Sequence, residues 1–290
     1  STLHLPHHDL PHHGLPSNAL PHHGLPHHDL PSYGDRTPVL AIAHRGGSAL
    51  GPENTVPAFE RSLALGLDHL ETDVRVSADG VCVAFHDRDL RRVTGSHGRV
   101  EDLSWAQISR LRVLGSAPVP RLDELLSAWP QVRWVLDVKQ PAAIDALLRT
   151  VRATGTQHRI CLSGTWDRHL DAARESLGPA VRSAIGWASL GRVLAGGTLG
   201  AGSAEFVHLP LRLAGRRLPE PRLLARAQAQ SLRVVVWGVD TAEQMHRLLD
   251  DGVDGIITDH PDVLREVLIA RGAWAPAREG RLSSSGRVPA

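Results

Sequence analysis

The sequence predicts an α/β protein that folds as a (β/α)8 barrel of the TIM type. From Pro38 onward, short apolar segments of strand length alternate with amphipathic helical segments, a pattern typical of βαβ units. The strand-like segments number eight, which is the number needed to close such a barrel. The length agrees, because 290 residues exceed the roughly 250 that one barrel domain typically contains.

Each predicted strand is followed by an interval long enough for a helix. The predicted strands are VLAIAH (39–44), HLETDV (69–74), RWVLDVK (133–139), RICLSG (159–164), RSAIGW (182–187), EFVHLP (205–210), RVVVWGV (233–239) and GIITD (255–259). Helical segments fill the intervals, for example VPAFERSLALG before the second strand and AEQMHRLLDDG before the eighth.

One further strand-like segment, VCVAFH (81–86), follows the second strand after only a few residues. A parallel crossover needs about a dozen residues or more, so this segment cannot be the next barrel strand. We expect SADG (77–80) to form a tight turn and the segment to fold back as a β-hairpin excursion. This arrangement would return His86 to the neighbourhood of Glu71 and Asp73.

Both ends of the chain differ in composition from the predicted barrel. Residues 5–34 repeat every five residues as LPHHD, LPHHG, LPSNA, LPHHG, LPHHD and LPSYG, and a proline every fifth residue forbids a continuous helix. We therefore expect a disordered His/Pro-rich tail at 1–37, a barrel at 38–270 and a disordered polar tail at 271–290. The paired histidines of the first tail suit transition metals, which makes it a possible metal-binding segment.

The overall composition is that of an ordinary globular protein, with a net charge of +1. That charge argues against a protein that binds nucleic acid through electrostatic attraction. The sequence contains no run of 18 apolar residues, so it predicts no transmembrane segment. No signal peptide is visible, and the two cysteines make a disulfide framework unexpected. The prediction is a cytoplasmic protein, although a chain trimmed of its leader would look the same.

Three acids stand near the ends of predicted strands. Glu71 and Asp73 are two residues apart on one strand, so both side chains project from the same face, and Asp137 and Lys139 repeat this spacing on the next barrel strand. Carboxylates that converge in a partly buried space repel each other, and a bound cation is the usual compensation. Oxygen ligands indicate Mg²⁺ or Ca²⁺ in preference to zinc. The alternative is a set of solvated or salt-bridged acids.

The first predicted strand ends in AHRGG, which places a histidine and an arginine at the same end of the barrel. His44 can transfer protons near neutral pH, and Arg45 can hold a phosphate oxygen with two donors. Gly46 and Gly47 permit a tight turn close to a ligand. Taken alone, His44 and His86 are equally compatible with structural roles.

Six segments occur in a fixed order: HRGGSALGPENTVPAFERSLALG, HLETDVRVSADGVCVAFHDRDLRRVTG, PRLDELL, VLDVK, VVVWGVD and GVDGIITDHP. Together they resemble the glycerophosphodiester phosphodiesterase family over roughly residues 39 to 268. The resemblance implies a TIM barrel with one divalent cation, Mg²⁺ or Ca²⁺. It also implies a small-molecule glycerophosphodiester substrate, hydrolysed to glycerol 3-phosphate and an alcohol.

The resemblance also implies a role for each residue that matches a family motif. These are three metal ligands (Glu71, Asp73 and Asp137), an acid–base pair (His44 and His86), two phosphate contacts (Arg45 and Lys139) and two residues at the pocket or its loop (Trp237 and Glu53). Trp237 would line the substrate pocket. Glu53, in the PENT segment, would buttress the loop or approach the metal.

The sequence departs from the family pattern at three places. Asp137 stands where glutamate is common, which puts the site geometry or the metal preference in question. The family's WTVN reads WGVD, with Gly238 and Asp240, and its SSF-like segment reads SGT at 163–165. These last two changes bear on which alcohol is accepted.

Two alternative functions and two mechanistic choices stay open at the level of sequence. A sphingomyelinase-D-like or lysophospholipase-D-like enzyme that forms a cyclic phosphate would share the HLETDV and VLDVK segments. A metal-handling protein that acts through its His-rich tail would use the barrel as a scaffold. In the phosphodiesterase itself, the nucleophile is water or the substrate's own hydroxyl, and either histidine can be the acid.

Overall fold

Eight parallel strands form a nearly closed barrel in the computed structural model, which describes residues 32–35, 38–199 and 204–276. The strands are β1 (Leu40–Ala43), β2 (His69–Val76), β3 (Arg133–Val138), β4 (Ile160–Gly164), β5 (Arg182–Ser183), β6 (Phe206–Pro210), β7 (Arg233–Trp237) and β8 (Gly255–Thr258). Their order around the barrel is β5-β4-β3-β2-β1-β8-β7-β6. The predicted barrel and all eight predicted strands are confirmed.

The barrel closes between β5 and β6 through a short set of backbone contacts. A parallel bridge joins Ala184 to Phe206, and Ile185 N donates to Phe206 O at 2.9 Å. The segment RSAIGW therefore supplies only two residues of regular strand before the chain turns into a helix at Trp187.

Helices follow the strands and cover the outside of the barrel. The α-helices are Val56–Ala64, Arg91–Thr94, Trp105–Ile108, Leu122–Ala128, Ile144–Thr154, Asp167–Leu177, Trp187–Leu194, Pro221–Ala229, Ala242–Asp251 and Pro261–Ala270. Short 3-10 turns occupy His44–Gly46, Val100–Asp102, Pro141–Ala143 and Gln157–Arg159. None of the helices in the described ranges is long and apolar enough to cross a membrane.

Alternation along the strands decides which side chains face the barrel interior. On β2, Leu70 and Val74 pack among the outer helices, whereas Glu71 and Asp73 lie on the opposite face of the strand. On β3, Leu136 packs outward in the same way, and Asp137 lies on the opposite face of that strand. The acids of the sequence motif are therefore directed inward by the same pattern that buries the apolar residues.

The hairpin after β2 forms as predicted. Cys82–Ala84 pairs antiparallel with β2, with Cys82 opposite Val76 and Ala84 opposite Val74. Residues 87–121 then form an excursion larger than the predicted hairpin, with a small core of its own and the two-stranded ribbon Arg112–Val113 and Ala117–Pro118. The hairpin carries His86 back toward the carboxyl end of β2.

The packed part of the chain begins before Pro38 and continues past residue 270. Tyr33 is 2% exposed and packs its ring edge-on to His69 and Phe206, with centroids 5.3 and 5.4 Å away. At the other end, Trp274 packs against the barrel and under Arg265. The rest of both predicted tails, including the His-rich repeats, lies outside the described residues.

Candidate active site at the carboxyl end of the barrel

A cavity of about 320 Å³ opens where the barrel strands end. Its charged side is formed by residues from β1, β2, β3 and the hairpin, namely His44, Arg45, Glu71, His86, Asp137 and Lys139. All of these are residues that the sequence predicts for the site. Trp237, predicted to line the pocket, lies on the other side of the same cavity.

The three predicted metal ligands come together. Oxygen atoms of Glu71, Asp73 and Asp137 lie within 4.8 Å of one another, and the β2–β3 register places Asp73 directly opposite Asp137. Glu71 and Asp73 are buried, and Asp137 is half-buried. Their carboxylates form an oxygen-only donor set at the edge of the cavity.

Burial and mutual repulsion perturb these acids in opposite directions. Burial, together with the neighbouring charge of Asp73, raises the pKa of Glu71 to about 8. Burial alone would raise the pKa of Asp73 as well, but the charges of Lys139 and Arg45 outweigh it and lower that pKa. Near neutral pH the raised pKa of Glu71 therefore favours its protonated form, and a bound cation would offset the repulsion that contributes to this shift.

Lys139 lies between two of the acids. Its Nζ donates to Asp137 Oδ2 at 2.6 Å and is 3.0 Å from Asp73 Oδ1, an atom that is buried without a well-oriented hydrogen bond. Because its single long stem reaches both carboxylates, Lys139 fixes the spacing of Asp73 and Asp137 at the cavity wall.

The loop after β1 wraps tightly around Glu71. Arg45 has a φ of 51°, and its backbone N donates to Glu71 Oε2 at 2.7 Å. Gly46 has a φ of 83°, and a Cβ there would lie 2.7 Å from the ring of Phe59, so glycine is required at this turn. The glycine of HRG thus allows the loop to pass close to the cluster of three acids.

Asn54, which the sequence reasoning did not select, holds Asp73 in place. Its Nδ2 donates to Asp73 Oδ2 at 2.8 Å, and its Oδ1 accepts from Thr72 Oγ1 at 2.8 Å. Asn54 adopts a φ of 57°, a conformation that asparagine tolerates better than most residues. Its place in the PENT segment, beside a turn, is the signal that could have identified it.

His44 is oriented by an acid from the far end of the barrel sequence. Its Nδ1 donates to Asp259 Oδ1 at 2.7 Å, and its Nε2 is 4.0 Å from Glu71 Oε2. Burial alone would lower the pKa of His44, but the bond to Asp259 and the charge of Glu71 outweigh it and raise that pKa. Asp259 follows β8 directly, so the rule that selected Asp137, an acid at a strand end, could have found it.

His86 has the same kind of partner. Its Nδ1 donates to Asp87 Oδ1 at 2.6 Å, and its backbone O accepts from Arg75 Nε at 2.7 Å. Burial alone would raise the pKa of Asp87, but the hydrogen bonds from Arg92 and His86 together outweigh it and lower that pKa to about 2. Asp87 is therefore a stable acceptor that fixes the ring of His86 toward the cavity.

Glu53 does not line the cavity but lies behind it. Its carboxylate accepts from Arg45 Nη1 at 3.0 Å and from both terminal nitrogens of Arg92 at 2.7 and 2.8 Å. Arg92 also donates to Asp87, so this one arginine connects Glu53, which holds Arg45, with Asp87, which holds His86. Of the two roles considered for Glu53, this geometry is that of a buttress.

The side of the cavity formed by β4 to β7 carries no formal charge among the described residues that line it. It includes Ser163, Thr165, Ile185, Trp187, Leu190 and Trp237. His208 of β6 also faces it, and burial lowers the pKa of this imidazole to about 4. Leu190 belongs to the helix that begins at Trp187, which is why strand-end reasoning did not select it. Trp187 ends the predicted strand RSAIGW (182–187) but is not among the predicted site residues.

Asp240, the last residue of the WGVD segment, does not line the cavity. Its Oδ1 accepts from Thr258 Oγ1 at 3.2 Å and from Asp259 N at 3.1 Å. Asp240 therefore supports the loop that carries the partner of His44, whereas we expected the change at this position to bear on the alcohol.

The chain matches the model of the glycerophosphoryl diester phosphodiesterase family over residues 44–263. It is 35% identical over 244 residues to the probable glycerophosphodiester phosphodiesterase 2 of Mycobacterium tuberculosis, covering 81% of this chain and 92% of the relative. A glycerophosphodiester phosphodiesterase of Caldanaerobacter subterraneus is 26% identical, covering 78% and 96%. The crystal structure of such an enzyme from Agrobacterium tumefaciens superposes with a TM-score of 0.64 and 26% identity, covering 80% and 98%.

Proposed function

Because the chain belongs to the glycerophosphoryl diester phosphodiesterase family, we propose that its cavity hydrolyses glycerophosphodiesters to glycerol 3-phosphate and an alcohol with one divalent cation and two histidines. One observation carries this proposal: three carboxylates, two cationic side chains and two carboxylate-bonded histidines converge at one cavity. Family membership also makes the chain a phosphoric diester hydrolase, and we do not retain the interpretation of the barrel as a scaffold for a metal-handling tail.

Glu71, Asp73 and Asp137 would hold the cation. Two features of the cluster fit it: the pKa of Glu71 is raised to about 8 by burial and by the charge of Asp73, and Asp73 Oδ1 is buried without a well-oriented hydrogen bond. Oxygen donors suit Mg²⁺ or Ca²⁺. When bound, such a cation supplies positive charge that stabilises the developing negative charge on the phosphoryl oxygens.

Arg45 and Lys139 would bind the phosphate group itself. Arg45 is held by Glu53 and lies with its Nε 3.2 Å from Asp73 Oδ2, and Lys139 is held by Asp73 and Asp137. Charges that are fixed before the substrate arrives need little reorganisation as the reaction proceeds, which is where their stabilising effect on the transition state comes from.

His44 and His86 would move the protons. In both rings Nδ1 is bonded to a carboxylate, which can only accept, so Nδ1 carries a hydrogen and Nε2 is the atom left for proton transfer. One ring removes a proton from the nucleophile, and the other donates a proton to the departing alkoxide oxygen. Water as nucleophile gives the products directly, whereas a hydroxyl of the substrate gives a cyclic phosphate first, so detection of a cyclic product separates the two.

The test of this function begins with a panel of glycerophosphodiesters. Purified protein should release glycerol 3-phosphate, chelator should abolish the release, and added Mg²⁺ or Ca²⁺ should restore it. Glu71→Gln should remove both activity and the Mg²⁺ or Ca²⁺ binding measured by calorimetry on a chain lacking residues 1–30, while circular dichroism stays unchanged. Full activity in demetallated protein would contradict the assignment of the three acids.

We further propose that residues 1–30 lie outside the catalytic unit and bind transition metals, since His–His pairs recur at 7–8, 12–13, 22–23 and 27–28. Location in the cytoplasm stays a prediction, supported by the two cysteines Cys82 and Cys161, which are unpaired and buried.

A further inference from the structure

The cavity has two chemically different sides. One carries the carboxylates, the two cationic groups and the two histidines already described. The other, supplied by β4 to β7 and the helix after β5, presents hydroxyl, glycine and apolar surface, with Ile185, Trp187, Leu190 and Trp237 as its large apolar residues. We call these four residues the apolar wall. A phosphate bound at the charged side would direct at least one of its two substituents toward this wall.

Two residues of the apolar wall are unusually exposed. Trp187 is 45% exposed and Trp237 is 38% exposed, whereas most large hydrophobic side chains of the described residues are buried. An indole ring left in water forfeits a large burial free energy, and exposed apolar surface next to a polar site is typical of a region that a ligand covers.

The apolar wall is held rigidly. Asp167, the first residue of the helix after β4, accepts hydrogen bonds from the backbone N of Gly186 at 3.0 Å, of Ala188 at 3.0 Å and of Ser189 at 3.2 Å. It thereby caps the helix that begins at Trp187. A Cβ on Gly186 would lie 2.6 Å from Asp167, so the two loops meet closely only because residue 186 is glycine. Trp187 is therefore fixed beside the cavity by specific contacts.

The charge of this side indicates what covers it. No carboxylate is among the described residues of the β4–β7 side, so a cationic head group would find no counter-ion there. A hydrocarbon chain needs none, and its burial against Ile185, Trp187 and Leu190 is favourable by about 0.8 kcal/mol per methylene group.

We propose that the apolar wall binds a hydrocarbon chain carried by the phosphodiester, so that substrates with a chain of several carbons are preferred over those with short polar substituents. This inference rests on the proposed function, since it concerns the same cavity. The chain can be attached to the alcohol or to the glycerol, and the chemistry of the wall is the same for both.

The experiment measures kcat/KM below micelle-forming concentrations in two matched series. Glycerophosphoethanol, -butanol and -octanol place the chain on the alcohol, and short-chain lysophosphatidylcholine against glycerophosphocholine places it on the glycerol. About 0.8 kcal/mol corresponds to roughly a fourfold change per fully buried methylene, so partial burial on this half-open wall should give at least about a tenfold increase from ethyl to octyl, or from the unacylated to the acylated compound. The series that shows the increase identifies the arm that carries the chain.

Variants then connect the preference to the apolar wall. Trp187→Ala should reduce the ratio of long-chain to short-chain kcat/KM to nearly one, and Leu190→Ala should reduce it in the same direction. The matched control is Trp166→Ala, because Trp166 is 38% exposed but does not line the cavity, and it should leave the ratio unchanged. If Trp187→Ala fails to fold, Trp187→Gln, which keeps most of the volume, tests the same ratio.

The possible failures are distinguishable. Hydrolysis of all substrates with no chain-length preference would overturn the inference and leave the proposed function in place. Preference for choline compounds whatever the chain would mean that the tryptophans bind a cation, and would also overturn it. Absence of hydrolysis of every phosphodiester in the presence of Mg²⁺ or Ca²⁺ would contradict the proposed function itself.

Discussion

At the scale of single residues, two carboxylates give the histidines of the cavity their chemistry. Asp259 and Asp87 each accept a hydrogen bond from Nδ1 of a histidine, so both rings present Nε2 to the cavity. The difference lies in the surroundings, because His44 is close to the buried Glu71 and His86 is on the more open hairpin. In the mechanism that we propose, this difference would allow one ring to act as the base and the other as the acid.

Single alanine substitutions of His44 and His86 should each lower kcat by roughly 10²- to 10⁴-fold, the usual contribution of a positioned acid or base. A glycerophosphodiester with a nitrophenolate leaving group needs no protonation of that group, so it should restore activity selectively to the variant that lacks the acid. Steady-state kinetics with both substrates makes the assignment. His97→Ala, at an exposed histidine outside the cavity, is the control, and wild-type kcat in either cavity variant would return that histidine to a structural role.

His208 should make the protein sensitive to mild acid. Burial lowers its pKa from 6.5 to about 4, and its Nε2 has no hydrogen-bond partner. The unfolded chain therefore binds more protons than the folded one between these values, so stability falls as the pH decreases from about 6.5 to 4. The loss amounts to at most about 3 kcal/mol, and less where cavity water reaches the ring.

The comparison of His208→Gln with wild type tests this expectation. Urea unfolding at a series of pH values should show a shallower fall in stability for His208→Gln below pH 6.5, whatever its stability at pH 8. His97→Gln should keep the wild-type slope. Parallel curves for all three proteins would show that His208 is not the group responsible.

At the scale of elements, the hairpin and the loop after β1 assemble the site by packing on β2. Phe85 N donates to Asp73 O at 3.0 Å, which fixes the hairpin against the strand that carries two of the acids. Arg159, just before β4, holds chain segments together at the other end of the barrel. It is 5% exposed and donates to the carbonyl oxygens of Leu126, Trp129 and Val132, where a helix ends before β3.

Arg159→Met should lower the free energy of unfolding by about 3 to 5 kcal/mol, because it leaves the carbonyl groups of Leu126 and Val132 without their donor in a buried place, while Trp129 O keeps its bond from Val132 N. Removal of the buried charge offsets part of this loss, since burial alone already lowers the pKa of Arg159 to about 10. Arg152→Met, at an exposed arginine that bonds the carbonyl of Ser176, should change stability by about 0.5 kcal/mol or less. Equal urea midpoints for the two variants would show that the carbonyl groups of Leu126 and Val132 have other partners.

At the scale of the whole molecule, the described fold extends into the low-complexity region. Tyr33 fills the interior of the barrel with Phe206 and Cys161, and Arg233 donates to Gly34 O at 2.8 Å. The last repeat, LPSYG, thus contributes Tyr33 and Gly34 to the packed structure. The His–His pairs all precede this repeat in the sequence.

Deletion of residues 1–30 should leave kcat and KM within about twofold, because all the cavity residues lie in the barrel, while it removes most of the Ni²⁺ or Zn²⁺ binding seen by calorimetry. Deletion of residues 1–34 also removes Tyr33 and should cost about 3 to 5 kcal/mol of stability, the usual loss for a buried aromatic side chain. Reduced activity in a stably folded chain without residues 1–30 would mean that the tail contributes to the site.

Local patterns were enough to predict the eight strands, the hairpin and most of the charged residues of the cavity. Alternation on β2 and β3 directs Glu71, Asp73 and Asp137 inward. The turn after β2 is too short for a parallel crossover, so the next strand has to pair antiparallel with β2. Both follow from interactions between residues close in the chain, so they can be inferred from the sequence alone. The order of the motifs likewise indicated the family, because it depends only on the letters.

The tertiary structure alone decided how these residues are partnered. Asp259 is 215 residues from His44, and they meet because β8 pairs with β1 when the barrel closes. Closure also brings Tyr33 into the interior and sets Asp167 against the helix of Trp187. Such contacts depend on which distant strands and loops become neighbours, and no local periodicity encodes that choice. The sequence therefore determined the elements, the charged groups and the local pair of His86 with Asp87, and the closed barrel determined which carboxylate orients His44 and where the apolar wall faces the cavity.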